Sequence, residues 1–309
     1  MDSVDVSVLL IAHNAADLLP MALSHLEQQS HPAARFEIVV ADCASTDSTP
    51  EILERYASGS PVRIRRTAVS RRHRGTAWNS AIDAATGTWM VFIDVELLAS
   101  PSLVENHVRA QERHGGEAVI VGRIARHPQS SSVVLPLRYA RPEIASAIAN
   151  QPLRFLDWRM NNLSLPRQRV SKGRPFDESC PVDALVDVEL AWRLEQQGVQ
   201  GFLGDAATAY VWTPPVLDRE LRHFYEEGYA LHGLQAATSA EVLKHRYFRT
   251  ERAARYYLGR VSAPLLRSLC EVLAQSTPPR RWIERRLVEQ ALREGYRDAA
   301  AGRPPRPSP

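Results

Sequence analysis

Residues 89–96 read Trp89-Met90-Val91-Phe92-Ile93-Asp94-Val95-Glu96, five apolar residues that lead into two carboxylates separated by one residue. An unbroken apolar run of this length is typical of a strand that is buried on both faces, as in a parallel sheet. The acids then stand where the strand leaves the sheet, and open α/β sheets bind ligands at that carboxyl edge. Two acids in this spacing can share a divalent cation such as Mg²⁺ or Mn²⁺. They can equally be a turn cap and a solvated side chain, so the motif alone leaves both interpretations open.

Strand-like and helix-like patterns alternate along the first part of the chain. Strands are predicted at 6–12, 36–41, 62–64, 89–93 and 118–122, of which 6–12 and 89–93 are expected to be buried. Helices are predicted between them at 14–29, 49–59, 76–85 and 101–115. Asn14, with Asp17 three residues later, resembles a capping box at the start of the first helix. This alternation predicts a doubly wound parallel α/β sheet.

Composition excludes several classes of protein. The chain has 309 residues, 44% hydrophobic and 24% charged, which supports a packed core in one large domain or a domain with an appendage. Its net charge of +3 is too balanced to indicate nucleic-acid binding. The three cysteines have neither metal-site nor disulfide spacing, so we expect a reducing cytoplasm. The acidic N-terminus predicts no secretory signal, and no apolar run reaches the ~18 residues of a membrane span.

The second half of the chain contains a smaller set of elements. A strand is predicted at 160–165, a helix over 182–194 with Asp187 in its first turn, and two short closing strands at 201–203 and 209–212. Arginine-rich helices are predicted at 216–246, 252–276 and 279–301. They indicate either an appendage packed on the sheet domain or on a second copy, or a basic amphipathic surface for an anionic membrane or acceptor. The Pro-rich tail, residues 302–309, is expected to be disordered.

Four segments, in order, resemble family 2 glycosyltransferases. The second of them, residues 36–49, is similar to the family's E-I-I-V-V-D-D-G-S-T-D-G-T segment. The others are residues 6–14, residues 75–79 with 87–96, and residues 162–165 with 176–178 and 187–194. The resemblance covers about residues 6–215 and does not account for the helical C-terminal third.

The resemblance implies a GT-A fold, a Rossmann-like, mostly parallel sheet flanked by helices, here with a helical C-terminal extension. Residues 1–215 would form the nucleotide-sugar-binding and catalytic domain, residues 216–301 the helical region and residues 302–309 the tail. It also implies metal-assisted, inverting transfer of a sugar from a nucleotide-diphosphate donor, with a UDP-sugar favoured, to an acceptor hydroxyl. The acceptor would be a saccharide, a lipid-linked saccharide or a natural product. We expect a cytoplasmic enzyme without a nucleic-acid partner, and peripheral membrane contact through the C-terminal helices stays open.

The resemblance also assigns roles to residues. Asp42 would lie in the nucleoside pocket, Asp94 and Glu96 would hold Mg²⁺ or Mn²⁺ on the donor diphosphate, and Asp187 would be the general base. Arg74 belongs to a basic run before a helix start, which can bind phosphates or form a solvated loop. The full set predicted to bind the nucleotide sugar is Ile11, His13, Asn14, Asp42, Cys43, Arg74, Asn79 and Asp94.

The sequence departs from the family pattern at several positions. Cys43 and Val186 stand where many members have acids, Glu96 replaces an Asp, and residues 209–214 lack a His that many members carry. A second hypothesis is therefore a degenerate transferase fold that acts as a binding or scaffold module, which would not hydrolyse a donor in a metal- and Asp187-dependent way. A third is a nucleotidyltransferase, which would release pyrophosphate but would need a Gly-rich phosphate loop that residues 12–16 do not provide.

Overall fold

A computed structural model of the chain describes residues 4–130, 136, 138–139, 151–171, 173–180, 182–213, 216–238, 263–273 and 277–306. The chain divides into two compact units. The first comprises Met1–Ser131, Arg141–Ser179 and Val186–Thr213. The second comprises Ser132–Ala140, Cys180–Leu185 and Pro214–Pro309.

The first unit is built around one eight-stranded sheet. Its strands are β1 Val6–Ala12, β2 Phe36–Cys43, β3 Arg63–Val69, β4 Trp89–Ile93, β5 Leu97–Ala99, β6 Val119–Arg126, β7 Asn162–Pro166 and β8 Gly201–Val211. They lie in the order β3-β2-β1-β4-β7-β6-β8-β5. The pairs β1–β2, β1–β4, β2–β3 and β6–β8 are parallel, whereas β7 is antiparallel to β4 and β6, and β5 is antiparallel to β8. The predicted mostly parallel α/β fold is therefore confirmed.

Unbroken apolar runs place β1, β2 and β4 inside the sheet. Every residue of β2 is buried, and β1 and β4 each contain one residue that is only partly buried. A strand covered on both faces has no solvent side, which is why these runs lack polar alternation. The helices of this unit are α1 Leu19–Glu27, α2 Thr49–Gly59, α3 Arg74–Ala84, α4 Leu103–Arg113 and α5 Val186–Gln196.

The second half of the sheet differs from the prediction in three respects. The strand predicted at 160–165 is β7, which pairs with both β4 and β6 and runs antiparallel to them, so the predicted parallel sheet is interrupted there. The two predicted closing strands are one strand, β8, whose register with β6 shifts between Gly122 and Arg123. Strand β5 was not predicted, since three apolar residues are too few to show a period.

The start of α1 also differs from the prediction. The helix begins at Leu19 and has no side-chain cap, so the capping role predicted for Asn14 is wrong. Asn14 instead adopts a left-handed backbone conformation with φ of 46°. The apolar face was predicted correctly, since Leu19, Ala22, Leu23 and Leu26 are buried.

Strand β7 carries two polar side chains into the core, where α4 satisfies them. The ring of His107 lies between them, with Nδ1 3.0 Å from Ser164 Oγ and Nε2 2.9 Å from Asn162 Oδ1. The Asn162 amide donates to the carbonyl oxygens of Arg123 and Ala207 at 3.0 and 2.9 Å. Its oxygen therefore accepts from Nε2–H, and Nδ1 accepts from the Ser164 hydroxyl. Because the ring is completely buried, the pKa of His107 is lowered to about 4.

The second unit contains α6 Leu217–Thr238, α7 Ala263–Val272 and α8 Pro278–Ala300. Two glycines let α6 and α8 approach closely. A Cβ at Gly228 would lie 1.9 Å from the carbonyl oxygen of Leu292, and one at Gly295 would lie 2.0 Å from that of Tyr225. The helices predicted at 216–246 and 252–276 extend into residues 239–262, which lie outside the described residues.

The apolar side chains of α7 and α8 are only partly buried. Leu266, Ile283 and Leu287 are buried, whereas Leu265, Leu269 and Trp282 are exposed. In the stretch predicted as a disordered tail, Arg303 and Arg306 pair with Asp298 and Glu294 of α8, each at 3.0 Å. Among the described residues, no helix has both the length and the apolar character needed to cross a membrane.

We predict that His107 makes the protein less stable in mild acid. Its pKa is about 4 in the fold against 6.5 in a solvated chain, so the unfolded state takes up the proton first. The contribution to stability is complete above pH 6.5 and is lost as the pH falls towards 4, by about 3 kcal/mol in total. Urea unfolding of the wild type and of His107→Gln across this range measures the difference. Equal slopes of unfolding free energy against pH would contradict the prediction.

Candidate functional site

The parallel register brings the ends of β1, β2 and β4 to one edge of the sheet. Asp42 pairs with the last residue of β1. Phe92 pairs with Leu9, and the same register continued by two residues sets Asp94 level with Ile11. The predicted residues Ile11, Asp42 and Asp94 therefore share the carboxyl edge, where ligand sites of α/β sheets lie.

The loops after β1 and β2 are hydrogen-bonded to each other, and we call residues 13–16 and 44–49 the paired loops. The amide of Asn14 donates to Ser45 Oγ at 3.0 Å. The side-chain oxygen of Asn14 accepts the amide N–H of Thr46 at 2.8 Å. Asn14 therefore joins the two loops, and its direct contact with a nucleotide stays a prediction.

Asp47 closes the paired loops, a role that its place in a polar turn of the sequence does not indicate. Its Oδ1 accepts the amide N–H of Thr49 at 3.0 Å, and its Oδ2 accepts that of Ala16 at 3.1 Å. Burial raises the pKa of Asp47, but the hydrogen bonds from Thr49 and Ala16 outweigh it and hold the pKa below its usual value. The site-forming loops are thus tied together by a carboxylate.

Asp42 and His13 present acceptors at this edge. Asp42 is 5% exposed, and its Oδ1 accepts the amide N–H of Ser45 at 3.1 Å. Its Oδ2 accepts no hydrogen bond from the residues that the structure describes. The Nδ1 of His13 lies 2.7 Å from the carbonyl oxygen of Cys43, so Nδ1 carries the hydrogen and Nε2 is an acceptor.

The thiol of Cys43 is directed at the segment before α3. Its Sγ lies 3.7 Å from the carbonyl oxygen of Arg71 and 3.8 Å from that of His73. His73 in turn caps α3, because its Nδ1 accepts the amide N–H of Thr76 at 3.1 Å. Cys43 therefore positions the start of α3, and its contact with a base ring stays a prediction.

The two predicted metal ligands lie on a tight turn. The amide of Leu97 donates to the carbonyl oxygen of Asp94 at 3.0 Å, and the amide of Asp94 donates to that of Asn161 at 3.3 Å. Asp94 is 20% exposed, and its Oδ1 lies 3.6 Å from the guanidinium of Arg74, the first residue of α3. The edge therefore brings an anionic and a cationic group together at the end of β4.

Asp94 and Glu96 supply the hard oxygen atoms that Mg²⁺ and Mn²⁺ prefer, and both are partly exposed. Within the described ranges, no three His, Cys, Asp or Glu side chains are placed to hold a metal ion. Mg²⁺ commonly binds one or two carboxylates and completes its coordination with substrate phosphates and water. The residues therefore fit a cation that is shared with a bound diphosphate.

Asn79, predicted to bind the donor, is buried and holds a neighbouring loop. Its Nδ2 donates to the carbonyl oxygen of Phe176 at 2.9 Å and to Glu178 Oε1 at 2.8 Å, and its Oδ1 accepts the amide N–H of Phe176 at 3.0 Å. Glu178 also lies 2.9 Å from Arg174. The polar atoms of Asn79 are thus engaged within the protein, and donor contact stays a prediction.

Asp187 lies in the first turn of α5, as expected, but it is only 6% exposed. Its Oδ2 is 2.9 Å from Nε of Arg159, another buried residue, and 3.4 Å from the amide of Met160. Its Oδ1 accepts the amide N–H of Val188 at 2.9 Å. The sequence did not reveal Arg159, because a single arginine outside any motif carries no signal for a buried pair.

The family model described as Glycosyl transferase family 2 matches residues 7–179, more than half of the chain. The chain belongs to glycosyl transferase family 2. The matched region contains the paired loops, α3 and the turn at Asp94. The resemblance that the four sequence segments indicate is therefore confirmed.

Curated relatives of this family 2 chain include two glycosyltransferases. Validoxylamine A glucosyltransferase of Streptomyces hygroscopicus subsp. jinggangensis (strain 5008) is 26% identical over 223 residues, which are 63% of this chain and 52% of that protein. The uncharacterized glycosyltransferase YfnE of Bacillus subtilis (strain 168) is 34% identical over 108 residues, which are 34% of this chain and 26% of that protein. The chain thus covers only part of the length of the relatives it matches.

Solved structures share the fold at low identity. The mannosyltransferase PcManGT from Pyrobaculum calidifontis, in complex with GDP-Man and Mn²⁺, has a TM-score of 0.64 at 18% identity, covering 96% of this chain and 86% of that chain. Residues 1–349 of S. aureus TarS have a TM-score of 0.59 at 16% identity, covering 97% and 92%. These likenesses confirm the predicted GT-A fold.

We predict that glycine is more stable than alanine at position 44. Ala44 has φ of 56°, in the left-handed region where a Cβ costs about 1 kcal/mol or more. Ala44→Gly removes that clash and should raise the free energy of unfolding by up to about 1 kcal/mol. The control is Ala57→Gly on the exposed side of α2, which should lower it by about 1 kcal/mol. Denaturant unfolding measures both, and a loss of stability in Ala44→Gly would show that the backbone at 44 is not strained.

Proposed function

We propose that the chain transfers a sugar from a nucleotide-diphosphate donor to an acceptor hydroxyl, with inversion at the sugar carbon. The observation that carries the proposal is the Arg74–Asp94 pair at the carboxyl edge that also holds Asp42. Family membership supports sugar transfer. A relative named as a glucosyltransferase, and neighbours solved with GDP-Man or UDP-GlcNAc, support a nucleotide-sugar donor.

The donor half of the site would lie between the paired loops and α3. Asp42 would accept a hydrogen bond from the nucleoside on Oδ2, beside His13 and the half-buried Ile11. Arg74 and the first amides of α3 would bind the diphosphate, because a helix N-terminus favours anions. Asn14 and Cys43 would hold this half in shape.

Asp94 and Glu96 would hold Mg²⁺ or Mn²⁺. A divalent cation bound there would supply positive charge to the diphosphate as it leaves. Arg74 would lie beside the same phosphates in this arrangement, so its guanidinium would share that task, and it compensates Asp94 when no donor is bound. A neighbour solved with Mn²⁺ supports this assignment.

The acceptor half would use Asp187. In the transfer, the acceptor oxygen forms a bond to the sugar carbon as the bond from that carbon to the diphosphate breaks, and the hydroxyl proton goes to a carboxylate on the opposite face. A carboxylate has about four lone-pair sites, and the described hydrogen bonds and the ion pair occupy three of those of Asp187. We therefore assign the proton to Asp187 once an acceptor has reached it.

The catalytically weakened scaffold is the second candidate, and the burial of Asp187 against Arg159 favours it. Buried acid–arginine pairs are often structural, and the second acid of the family pattern is replaced by the buried Val186. In that case nucleotide binding would survive without turnover. Assignment of catalysis to residues 1–215, a cytoplasmic location and membrane contact through the C-terminal helices stay predictions.

We predict that one nucleotide stabilises the protein through Asp94. Thermal unfolding with UDP, GDP, CDP and dTDP, each with and without Mn²⁺, should show one metal-dependent rise, since a ligand at a hundred times its Kd adds about 2.7 kcal/mol. Asp94→Asn should abolish the rise. The control Asp83→Asn, an exposed acid on α3, should keep it. No rise with any nucleotide would remove the central support for a donor site.

We predict that Asp187→Asn removes turnover and keeps donor binding. An amide of the same size cannot take the proton, so release of nucleoside diphosphate from the active donor should fall by about a hundredfold or more. The nucleotide-dependent thermal shift should stay at the wild-type value. If Asp187→Asn releases nucleoside diphosphate as fast as the wild type, the general base is another residue. If the wild-type protein shows the nucleotide-dependent thermal shift but no turnover, the scaffold hypothesis is favoured.

A further inference from the structure

Two arginines of one segment pair with acids of α5. Arg154 lies 3.2 Å from Glu195 near the end of the helix, and its side chain is 64% exposed. Arg159 lies 2.9 Å from Asp187 in the first turn, and both side chains are 8% exposed. The two pairs join the same elements and differ mainly in burial, so only the second is a strong constraint.

The Arg159 segment also contacts the turn that carries Asp94. The amide of Asn161 donates to the carbonyl oxygen of Arg159 at 2.7 Å, and the carbonyl oxygen of Asn161 accepts from the amide of Asp94 at 3.3 Å. The amide of Met160, between them, points at Asp187. Three consecutive residues thus contact Asp187 on one side and Asp94 on the other.

We propose that Arg159 is the positioning residue of the transfer reaction, which supplies the counter-charge to Asp187 and sets its place relative to the turn at Asp94. The proposal rests on the role proposed for Asp187 above. Arg159 need not touch substrate, because it acts through the carboxylate it pairs with. A carboxylate buried without a counter-charge is more easily protonated and cannot then accept a proton from an acceptor.

Other ionisable groups face α5 and could produce a similar pH dependence. They lie on α5 itself or on the elements that pack against it, namely Arg154 and Asp157 at the short helical turn Phe155–Asp157, Arg74 and Asp83 on α3, Asp177 beside Arg193, and Glu189, Arg193 and Glu195 on α5. Arg193 lies 2.6 Å from Glu189, and Arg154 lies 3.2 Å from Glu195. Asp157 is also a buried carboxylate, so it needs its own variant.

The first arm of the test needs no activity and measures the thermal midpoint of the full chain from about pH 5 to pH 8. In Arg159→Gln the fold favours protonated Asp187, so the midpoint of the variant, taken relative to that of the wild type at the same pH, should decrease as the pH rises. The reference to the wild type removes the contribution of His107, which acts in both proteins. Adding Asp187→Asn should abolish that decrease and raise the midpoint at high pH, because an amide needs no counter-charge. Adding Asp157→Asn instead should leave the decrease in place.

The second arm measures release of nucleoside diphosphate from UDP-glucose, UDP-GlcNAc and GDP-mannose with Mn²⁺, as kcat and KM against pH. In Arg159→Gln the acidic limb of kcat should move up by about one pH unit or more, with a donor KM within about threefold of the wild type. Arg159→Lys keeps the charge and should restore the limb. Arg154→Gln, the same change in the exposed pair, should behave as the wild type.

The outcomes are distinct. If the thermal midpoint of Arg159→Gln depends on pH in the same way as that of the wild type, the proposal is wrong. It is also wrong if Arg159→Gln is active and the acidic limb of its kcat profile lies at the wild-type pH. If the wild type turns over none of the three donors, the proposed function fails and the first arm still decides the pairing. If Arg159→Gln folds only together with Asp187→Asn, the pairing is supported, and if neither folds, Arg159 is structural and the proposal is wrong.

Discussion

Parallel hydrogen bonding of β1 to β2 on one side and to β4 on the other is the constraint on which the candidate site depends. It sets Asp42 and Asp94 at the same edge with one strand between them, about 10 Å apart by strand spacing. No side chain has to reach across the molecule to create this arrangement. A slip of one residue in either pairing would turn the edge residues to the opposite face of the sheet.

The site combines opposite charges that already have partners. Arg74 faces Asp94, Asp47 binds the amides of both paired loops, and Arg159 compensates Asp187. Such pairs let these carboxylates be buried or half-buried before any ligand arrives, since each has a counter-charge or hydrogen bonds. Ligand binding would then exchange partners without creating or burying an isolated charge.

The sequence predicts those features that follow from local patterns. Apolar runs revealed β1, β2 and β4, and the position of Asp187 in a helical first turn followed from spacing. Long-range choices were not visible. No local pattern identifies β7 as the antiparallel strand between β4 and β6. Its polar residues Asn162 and Ser164 can be buried there only because His107, on a helix distant in sequence, forms hydrogen bonds with both. Arg159 could not be predicted for the same reason, since its partner Asp187 is distant in the sequence. Asn14 has the local spacing of a helix cap, but its actual hydrogen-bond partners lie in the other loop and are not visible in that spacing.

The turn that joins β4 to β5 also limits the curvature of the sheet. The two strands are separated by β7, β6 and β8, which would place them about 19 Å apart in a flat sheet. Yet a turn closed between Asp94 and Leu97 keeps its Cα ends within about 7 Å. The sheet must therefore curve until the end of β4 and the start of β5 are close enough for this turn to join them. Asp94 and Glu96, which are assigned to a cation, thus lie on the turn that keeps the sheet curved. Lengthening this turn would both displace the two carboxylates and allow the sheet to flatten.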